Sequence, residues 1–298
     1  VKLLVVGAAI VDLVARPLAE PTQDSSNDAD IALGAGGAGR NVAENLLRLG
    51  CDVTLVADVA DDALGQFLRA DCARLGLDLR ACRKPRTGLY LAVLHPSGAL
   101  DRGYCQTATE QLTAAEVLEK LPDLGEFAGA VLDANLSEAC LSDLAGHFRR
   151  AGLAYALETA AHQRCRRVLP ALQGCALIKP DRGEAEALTG LTCQTPADAL
   201  ACARALTRRG VATAIVSLGP QGFCAVSGDF AGHLPALPTE VVDVTGAGDA
   251  LFAAAWVGIL RGLPLPRVLE AARRAASLAV ASRESVSRAL GPQLFDLA

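Results

Sequence analysis

Apolar and polar positions along this chain switch between two periods. Residues 2–7 are an almost wholly apolar run ending in glycine, the pattern of a strand buried on both faces. Residues 53–59, 130–135, 153–157 and 214–217 repeat it. Between these runs the spacing becomes that of amphipathic helices. Val42, Leu46 and Leu49 share one face of a helix over 41–49 that Gly50 ends. Further helices are predicted over 62–75, 139–150, 251–260 and 266–280, the last two rich in alanine. Residues 17–30 are polar and turn-rich, and 87–94 alternate strictly, meet a Pro96-Ser97-Gly98 turn and read as a hairpin with 101–107. These pieces predict a small lid of strands standing off the main sheet. The basic stretch 162–167 reads as a solvated helix face, and Val241-Val242 as the end of one more strand. The regular alternation of strand and helix predicts an α/β protein whose mostly parallel sheet is covered on both faces.

Composition narrows the picture without changing it. A chain of 298 residues, 51% hydrophobic and 20% charged, can bury a large core. A net charge of −5 gives no reason to expect nucleic acid or a membrane surface as partner. No apolar run is long enough to span a bilayer. Asp12 interrupts the apolar N-terminal stretch and no small-residue cleavage site follows, so a strand is expected there, not a signal peptide, and a cytoplasmic location with it. The ten cysteines form no Cys-x-x-Cys pair and several lie in apolar stretches, which predicts buried free thiols in a reducing compartment.

The stretch most loaded with chemistry is 241–252. Two β-branched residues lead into Asp243-Val244-Thr245-Gly246-Ala247-Gly248-Asp249 and then into an apolar, alanine-rich helix. A glycine turn opening a helix is an anion site, because the first N–H groups have no intrahelical partner and the helix dipole adds positive charge. A carboxylate there repels phosphate. Asp249 makes sense as the base that takes a proton from an attacking hydroxyl, or, more plainly, as a helix cap. Asp12 follows the first strand and Gly7, at the sheet edge where open α/β proteins bind ligands. The glycine-dense loop 34–39 does not match a dinucleotide fingerprint: its spacing differs and it does not directly follow the first strand.

Two motifs together resemble the signatures of the ribokinase-like (PfkB) sugar and nucleoside kinases. Gly36-Gly37-Ala38-Gly39-Arg40-Asn41-Val42-Ala43-Glu44-Asn45-Leu46 is similar to that family's N-terminal signature, and Asp243 to Asp249 to its C-terminal one. The likeness spans nearly the whole chain. It implies a three-layer α/β/α fold with a small β lid, as one catalytic domain over 1–298 with lid segments near 13–35 and 86–108. It implies ATP and Mg²⁺ as cofactors, with K⁺ as a further candidate. Asp12, Gly36, Gly37 and Asn41 would hold the substrate's hydroxyls. Gly246, Ala247 and Gly248 would face the γ-phosphate, with Asp249 as base. The stretch Lys179-Pro180-Asp181-Arg182-Gly183-Glu184 resembles the family's Lys-Pro-Asn-x-x-Glu, which makes Glu184 the residue placing Mg²⁺ through water. Asp181 departs from that pattern: its carboxylate lacks the amide's donor and adds charge that Mg²⁺ would offset. Ser217, Gly219 and Gly222 would lie along the nucleotide, and Asp243 and Thr245 would border a monovalent cation together with residues 282–287. Glu158 and Arg273 stand where the family usually has aspartate and asparagine.

The Arg-Asn-x-Ala-Glu-Asn-Leu run at 40–46 resembles the pseudouridine kinases more than ribokinases, fructokinases or adenosine kinases. The expected reaction is therefore phosphorylation of a small-molecule acceptor at the 5′-hydroxyl of a ribosyl nucleoside, pseudouridine first. A ribose or fructose kinase, or a degenerate member that binds nucleoside or nucleotide without turnover, stays open beside it. A homodimer through the lid is expected, since strands near 31–33 and 89–94 carry apolar residues away from the main core.

Overall fold

The computed structural model describes residues 1–121 and 123–296. Thirteen strands form two sheets among the described residues. In the larger, β1 (Lys2–Val6) lies between β4 (Asp52–Asp58) and β8 (Gly129–Asp133). Beyond β4 is β5 (Asp78–Cys82). Beyond β8 run β9 (Tyr155–Glu158), β10 (Leu177–Ile178) and β11 (Thr213–Ser217). All these neighbours are parallel, while β12 (Phe223–Ser227) and β13 (Phe230–Leu234) close one edge as antiparallel strands. Parallel strands demand crossovers, and the helices supply them.

One face of the sheet is covered by α1 (Ala38–Arg48), α2 (Ala63–Leu75), α7 (Ala247–Leu260) and α8 (Leu265–Val280). The other carries α3 (Ala114–Glu119), α4 (Glu138–Ala151), α5 (Arg182–Thr189) and α6 (Pro196–Thr207). The strands are apolar throughout because both faces are buried; Leu3, Leu4, Val5 and Val6 are all inaccessible. In α7 the run Ala253-Ala254-Ala255 lets the backbone approach its neighbours, and Trp256 fills the space beside Gly129. Burial of each large side chain in such a core contributes about 1.5–3 kcal/mol. No helix among the described residues is long and apolar enough to cross a membrane. All ten cysteines are unpaired, and nine are buried; Cys105 is exposed.

The lid is the second sheet, in the order β3 (Ala29–Gly36), β2 (Ile10–Pro17), β6 (Gly88–Leu94), β7 (Leu100–Gln106). The predicted strands and helices reappear within a few residues, with two differences. Val241 and Val242 end no strand: residues 235–246 run as an exposed loop, pinned where the Val242 and Asp243 N–H groups both donate to the Val280 carbonyl. With β13 already closing that edge, the β-branched pair finds no strand to join. Residues 162–167 are solvated at His162, Gln163 and Arg166, but they form no α-helix. They enter a 3-10 segment (Cys165–Ala171) with Cys165 and Val168 buried, while Arg164 donates to the Asn135 side chain and Arg167 to Glu110 at 2.8 Å. The three arginines of this stretch masked the inward turn at Cys165.

Candidate active site

The site gathers at the carboxyl ends of β8 to β11, where α1, α5 and α7 begin. Asp133, at the end of β8, is wholly buried and organises one side of it. Its Oδ2 accepts from the N–H groups of Ala8 (2.9 Å) and Gly39 (3.1 Å), and its Oδ1 from the backbone and side-chain nitrogens of Asn135 (both 2.8 Å). The carboxylate thus caps α1 from a different part of the chain, where its own first turn has no side-chain cap. That fixes the start of α1, and with it Gly37 at the cap and Asn41 one turn in.

Asp12 stands on the lid strand β2, over the start of α1. A side chain at Gly36 would fall 2.0 Å from its Oδ2, so glycine there is the condition for Asp12 to sit where it does. Burial pushes the Asp12 carboxyl up to about 6, against the charge of Arg40. Arg40 itself is taken up within and between helices. It is 5% exposed and paired with Glu44 and with Asp71 (2.6 Å), while Glu44 also holds Arg48. Asn45 donates to the Asn41 carbonyl at 2.9 Å. The side chains that carry the likeness to pseudouridine kinases therefore lock α1 to α2 and to itself, and only Asn41 of that run turns toward Asp249.

The anion turn has the expected form. Gly246 caps α7 with φ 78°, no side chain caps the helix, and the N–H groups of Gly248 and Asp249 have no partner among the described residues. The Ala247 N–H bends back to the Val244 carbonyl at 3.4 Å. A side chain on Gly246 would collide with the Ser285 carbonyl oxygen at 1.8 Å, so the turn is seated directly on the 282–287 loop. Asp243 accepts the Thr245 N–H at 2.8 Å, which closes the turn on its other side. Asp249 is part-exposed, yet protein crowds it on most sides. Burial raises its carboxyl to about 6; Lys179 opposes the rise, Asp133 and Glu184 add to it, and the nearby Asn41 amide lowers it.

Across from this turn, Asp181 and Glu184 form a capping box on α5. Asp181 accepts the Glu184 N–H and Glu184 accepts the Asp181 N–H, both at 2.8 Å, and the same Glu184 oxygen accepts from Thr159 at 2.7 Å. Asp181 is thus an exposed N-cap, a position aspartate and asparagine fill equally well. Arg182 then reaches the Leu218 carbonyl (3.2 Å) and Gln221 (2.6 Å), tying α5 to the turn that carries Gly219. Ser217 is held to the Pro180 carbonyl through its N–H at 3.0 Å, and Gly222 (φ 87°) passes so close to Leu234 that a Cβ would lie 2.0 Å from its carbonyl oxygen. Arg273 lies away from this group, on α8, paired with Glu270 at 2.6 Å.

Asp12, Gly36, Gly37, Asn41, Asp249, Glu184 and the 217–222 turn are thus brought to one edge of the sheet, and Asp243 and Thr245 to the turn behind it. Two further residues lie beside these: a Cβ on Gly248 would meet the Lys179 Nζ at 2.7 Å, and Tyr90 is the register partner of Asp12. The signal for Lys179 is a lysine directly after an apolar strand. Tyr90 carries none, since an alternating strand holds such a residue for packing alone.

The pfkB family carbohydrate kinase model matches residues 1–289. The chain belongs to the pfkB family. It is 27% identical to a guanosine-inosine kinase of Exiguobacterium acetylicum, covering 99% of this chain and 98% of that protein. It is also 27% identical to a pseudouridine kinase of Escherichia coli, over 93% and 90% of the two chains. The crystal structure of a Thermotoga maritima ribokinase superposes with a TM-score of 0.82 at 21% identity, covering 99% of this chain and 97% of that one, so the fold is ribokinase-like. The protein is a phosphotransferase with an alcohol acceptor, and pfkB kinases use ATP and Mg²⁺. No group of three or more His, Cys, Asp or Glu side chains among the described residues is arranged to hold a metal ion. Of the Glu184 carboxylate, one oxygen accepts from Thr159 and from the Asp181 N–H, and the other has no protein hydrogen bond among the described residues, the kind of carboxylate oxygen Mg²⁺ takes directly or through water.

Proposed function

We propose that this kinase transfers the γ-phosphoryl group of ATP to the 5′-hydroxyl of a ribosyl nucleoside. The observation that carries the nucleoside, as against a bare sugar, is the pairing of Asp12 with Tyr90. The two are register partners on β2 and β6, so their side chains leave the same face of the lid. Tyr90 lies over Gly103 of β7, whose missing side chain makes room for it: a Cβ would meet its hydroxyl at 2.7 Å. A carboxylate for sugar hydroxyls beside a part-exposed aromatic ring suits a ribose that carries a planar base. Among nucleosides we place pseudouridine first, on the 40–46 stretch. Guanosine and inosine stand beside it, because a relative of equal identity is named for them.

In this reading Asp12 and Asn41 orient the acceptor. Asp249 takes the hydroxyl proton as the oxygen attacks, and the free N–H groups at the start of α7 stabilise the charge that develops on the phosphoryl oxygens. Ser217, Gly219 and Gly222 line the nucleotide. Mg²⁺, when bound, would neutralise charge across the triphosphate, and Glu184 is oriented for it by Thr159 and the Asp181 N–H. Asp243, Thr245 and the Ser285 carbonyl would border K⁺.

The test is phosphorylation of pseudouridine, guanosine, inosine, ribose and fructose by the wild type and by Tyr90→Ala. The variant should lose about 10-fold or more in kcat/KM for the nucleosides, the order of a lost stacking contact of 1–3 kcal/mol. Its rate with ribose should hardly change. Wild-type turnover of ribose or fructose as fast as of any nucleoside would overturn the nucleoside reading.

The opposite face of the lid supports a second copy of the chain. Leu33, Leu13, Leu91 and Tyr104 stand in one cross-strand row there, and Leu33 and Tyr104 are 50% and 56% exposed. An apolar row on a sheet whose two edge strands are uncovered is surface that a partner lid would bury. Light scattering should give the mass of a dimer for the wild type and of a monomer for Leu33→Arg; a wild-type monomer at high micromolar concentration would refute it.

A further inference from the structure

Two buried carboxylates end strands on either side of β1. Asp133, on β8, fixes the start of α1. Asp58, the last residue of β4, is equally inaccessible and lies outside the reacting groups. Both of its oxygens turn to one short segment. Oδ1 accepts the Thr109 hydroxyl, and Oδ2 accepts the Ala108 N–H at 3.1 Å. Thr109 is itself fully buried, and its hydroxyl also meets that of Thr107 at 2.7 Å. A buried carboxylate is tolerated only where donors answer it. Here the donors are the residues just after β7, where the lid hairpin returns to the main body.

The other end of the same hairpin hangs on the same turn. Asp62 accepts the Thr87 N–H at 2.9 Å and the Thr87 hydroxyl at 2.7 Å, and that hydroxyl accepts the Ala60 N–H at 3.0 Å. Asp62 also caps α2 through the Gly65 N–H, so it has a duty of its own; Asp58 serves the returning root alone. The other ties on that root are weaker. Glu110 pairs with Arg167 at 2.8 Å and Lys84 reaches the Gln111 carbonyl at 3.2 Å, but both contacts are exposed, where water screens them.

We propose that Asp58 is a positioning residue for the acceptor: by holding Ala108 and Thr109 it fixes the returning end of the hairpin, and through β7 the place of the Tyr90 ring. The route is short. Cys105 of β7 is the register partner of Tyr90, and Gly103 of the same strand lies under the Tyr90 hydroxyl. Strand β2, with Asp12, is held differently. It follows β1 through residues 7–9 and takes its position from the main sheet. A slackened root lets β6 and β7 twist about β2, which shifts the ring more than the carboxylate that holds sugar hydroxyls. This role rests on the reading of Tyr90 as the wall against the nucleoside base.

Thr109→Val keeps the shape and removes the hydroxyl, Thr109→Ser keeps the hydroxyl, and Asp58→Asn sets an amide donor against one of the two donors of the root. KM and kcat are measured for ATP, pseudouridine, guanosine, inosine and ribose, with melting temperatures alongside. The proteins are the wild type, these three variants, Tyr90→Ala, and Tyr90→Ala combined with Thr109→Val. Thr109→Val and Asp58→Asn should raise KM for the nucleosides about fivefold or more, the lower end for a weakened stacking contact. Their kcat, KM for ATP and KM for ribose should stay within about twofold, and Thr109→Ser should match the wild type. With Tyr90 already removed, Thr109→Val should add nothing to KM, because residues that act through one another are not additive. A purely structural role would lower the melting temperature of Thr109→Val and leave every KM unchanged, and that result would overturn the proposal. So would the same rise in nucleoside KM when Tyr90 is absent. Should Asp58→Asn not fold, the two Thr109 variants decide. An unchanged nucleoside KM in Tyr90→Ala itself would instead overturn the reading of Tyr90, and this role with it.

Discussion

Asp249→Asn is expected to reduce phosphoryl transfer by roughly 10²–10⁴-fold, the usual cost of removing a general base, while nucleoside affinity stays within a few-fold. The side chain stands at the head of α7 beside two N–H groups that have no partner among the described residues, with the Asn41 amide nearby. Asparagine keeps the shape and the contact but cannot take a proton. The pH profile gives an independent check. Both Asp249 and Asp12 are raised to about 6 by burial. Each must be ionised to act, one to accept a proton and the other to accept hydrogen bonds from hydroxyls. Activity should therefore be full above about 6 and fall as the pH drops through that value, with a limb steeper than one proton would give. In Asp249→Asn the residual activity should fall with a single proton, that of Asp12. Near-normal turnover in Asp249→Asn would remove the base from the mechanism.

Gly246→Ala should be almost as damaging, for a steric reason. At φ 78° a side chain is strained, and its Cβ would meet the Ser285 carbonyl oxygen at 1.8 Å. A backbone atom cannot swing aside as a side chain can, so the turn itself must shift. A displacement of about 1 Å at a catalytic group costs on the order of 10²-fold in rate, and the strained backbone a further 1–3 kcal/mol of stability. Gly76→Ala, at the C-terminal end of α2 and outside the site, is the matched control. Its φ is 76°, but nothing lies within 4 Å of the new Cβ, so it should show only a modest fall in melting temperature. Equal kcat in the two variants would mean that the Asp243 to Asp249 turn does not position the reacting groups.

Some of this protein was written openly in the chain. The strands of the main sheet are apolar on both faces, so their runs stand out, and their alternation with helical spacing fixes the α/β class. The turn ahead of α7 was legible because local rules suffice there: two glycines, an aspartate and an alanine-rich run call for a tight turn that opens a helix. The resemblance to the family's motifs pointed to Asp12, Asn41, Glu184 and the 217–222 turn. What local rules could not supply is which residues meet across the fold. β10 is two residues long and shows only as part of an apolar run. Arg40, next to Asn41, has the character of a site residue, and only the packing of α1 on α2 assigns it to Glu44 and Asp71. Val241 and Val242 favour a strand by type, yet the edge they would join is already closed by β13. Asp133 caps a helix 94 residues away. Lys179 and Gly248 lie far apart in the chain, on a strand end and a helix start. Their meeting depends on the order of strands in the sheet, which long-range packing of both faces decides and no local period encodes.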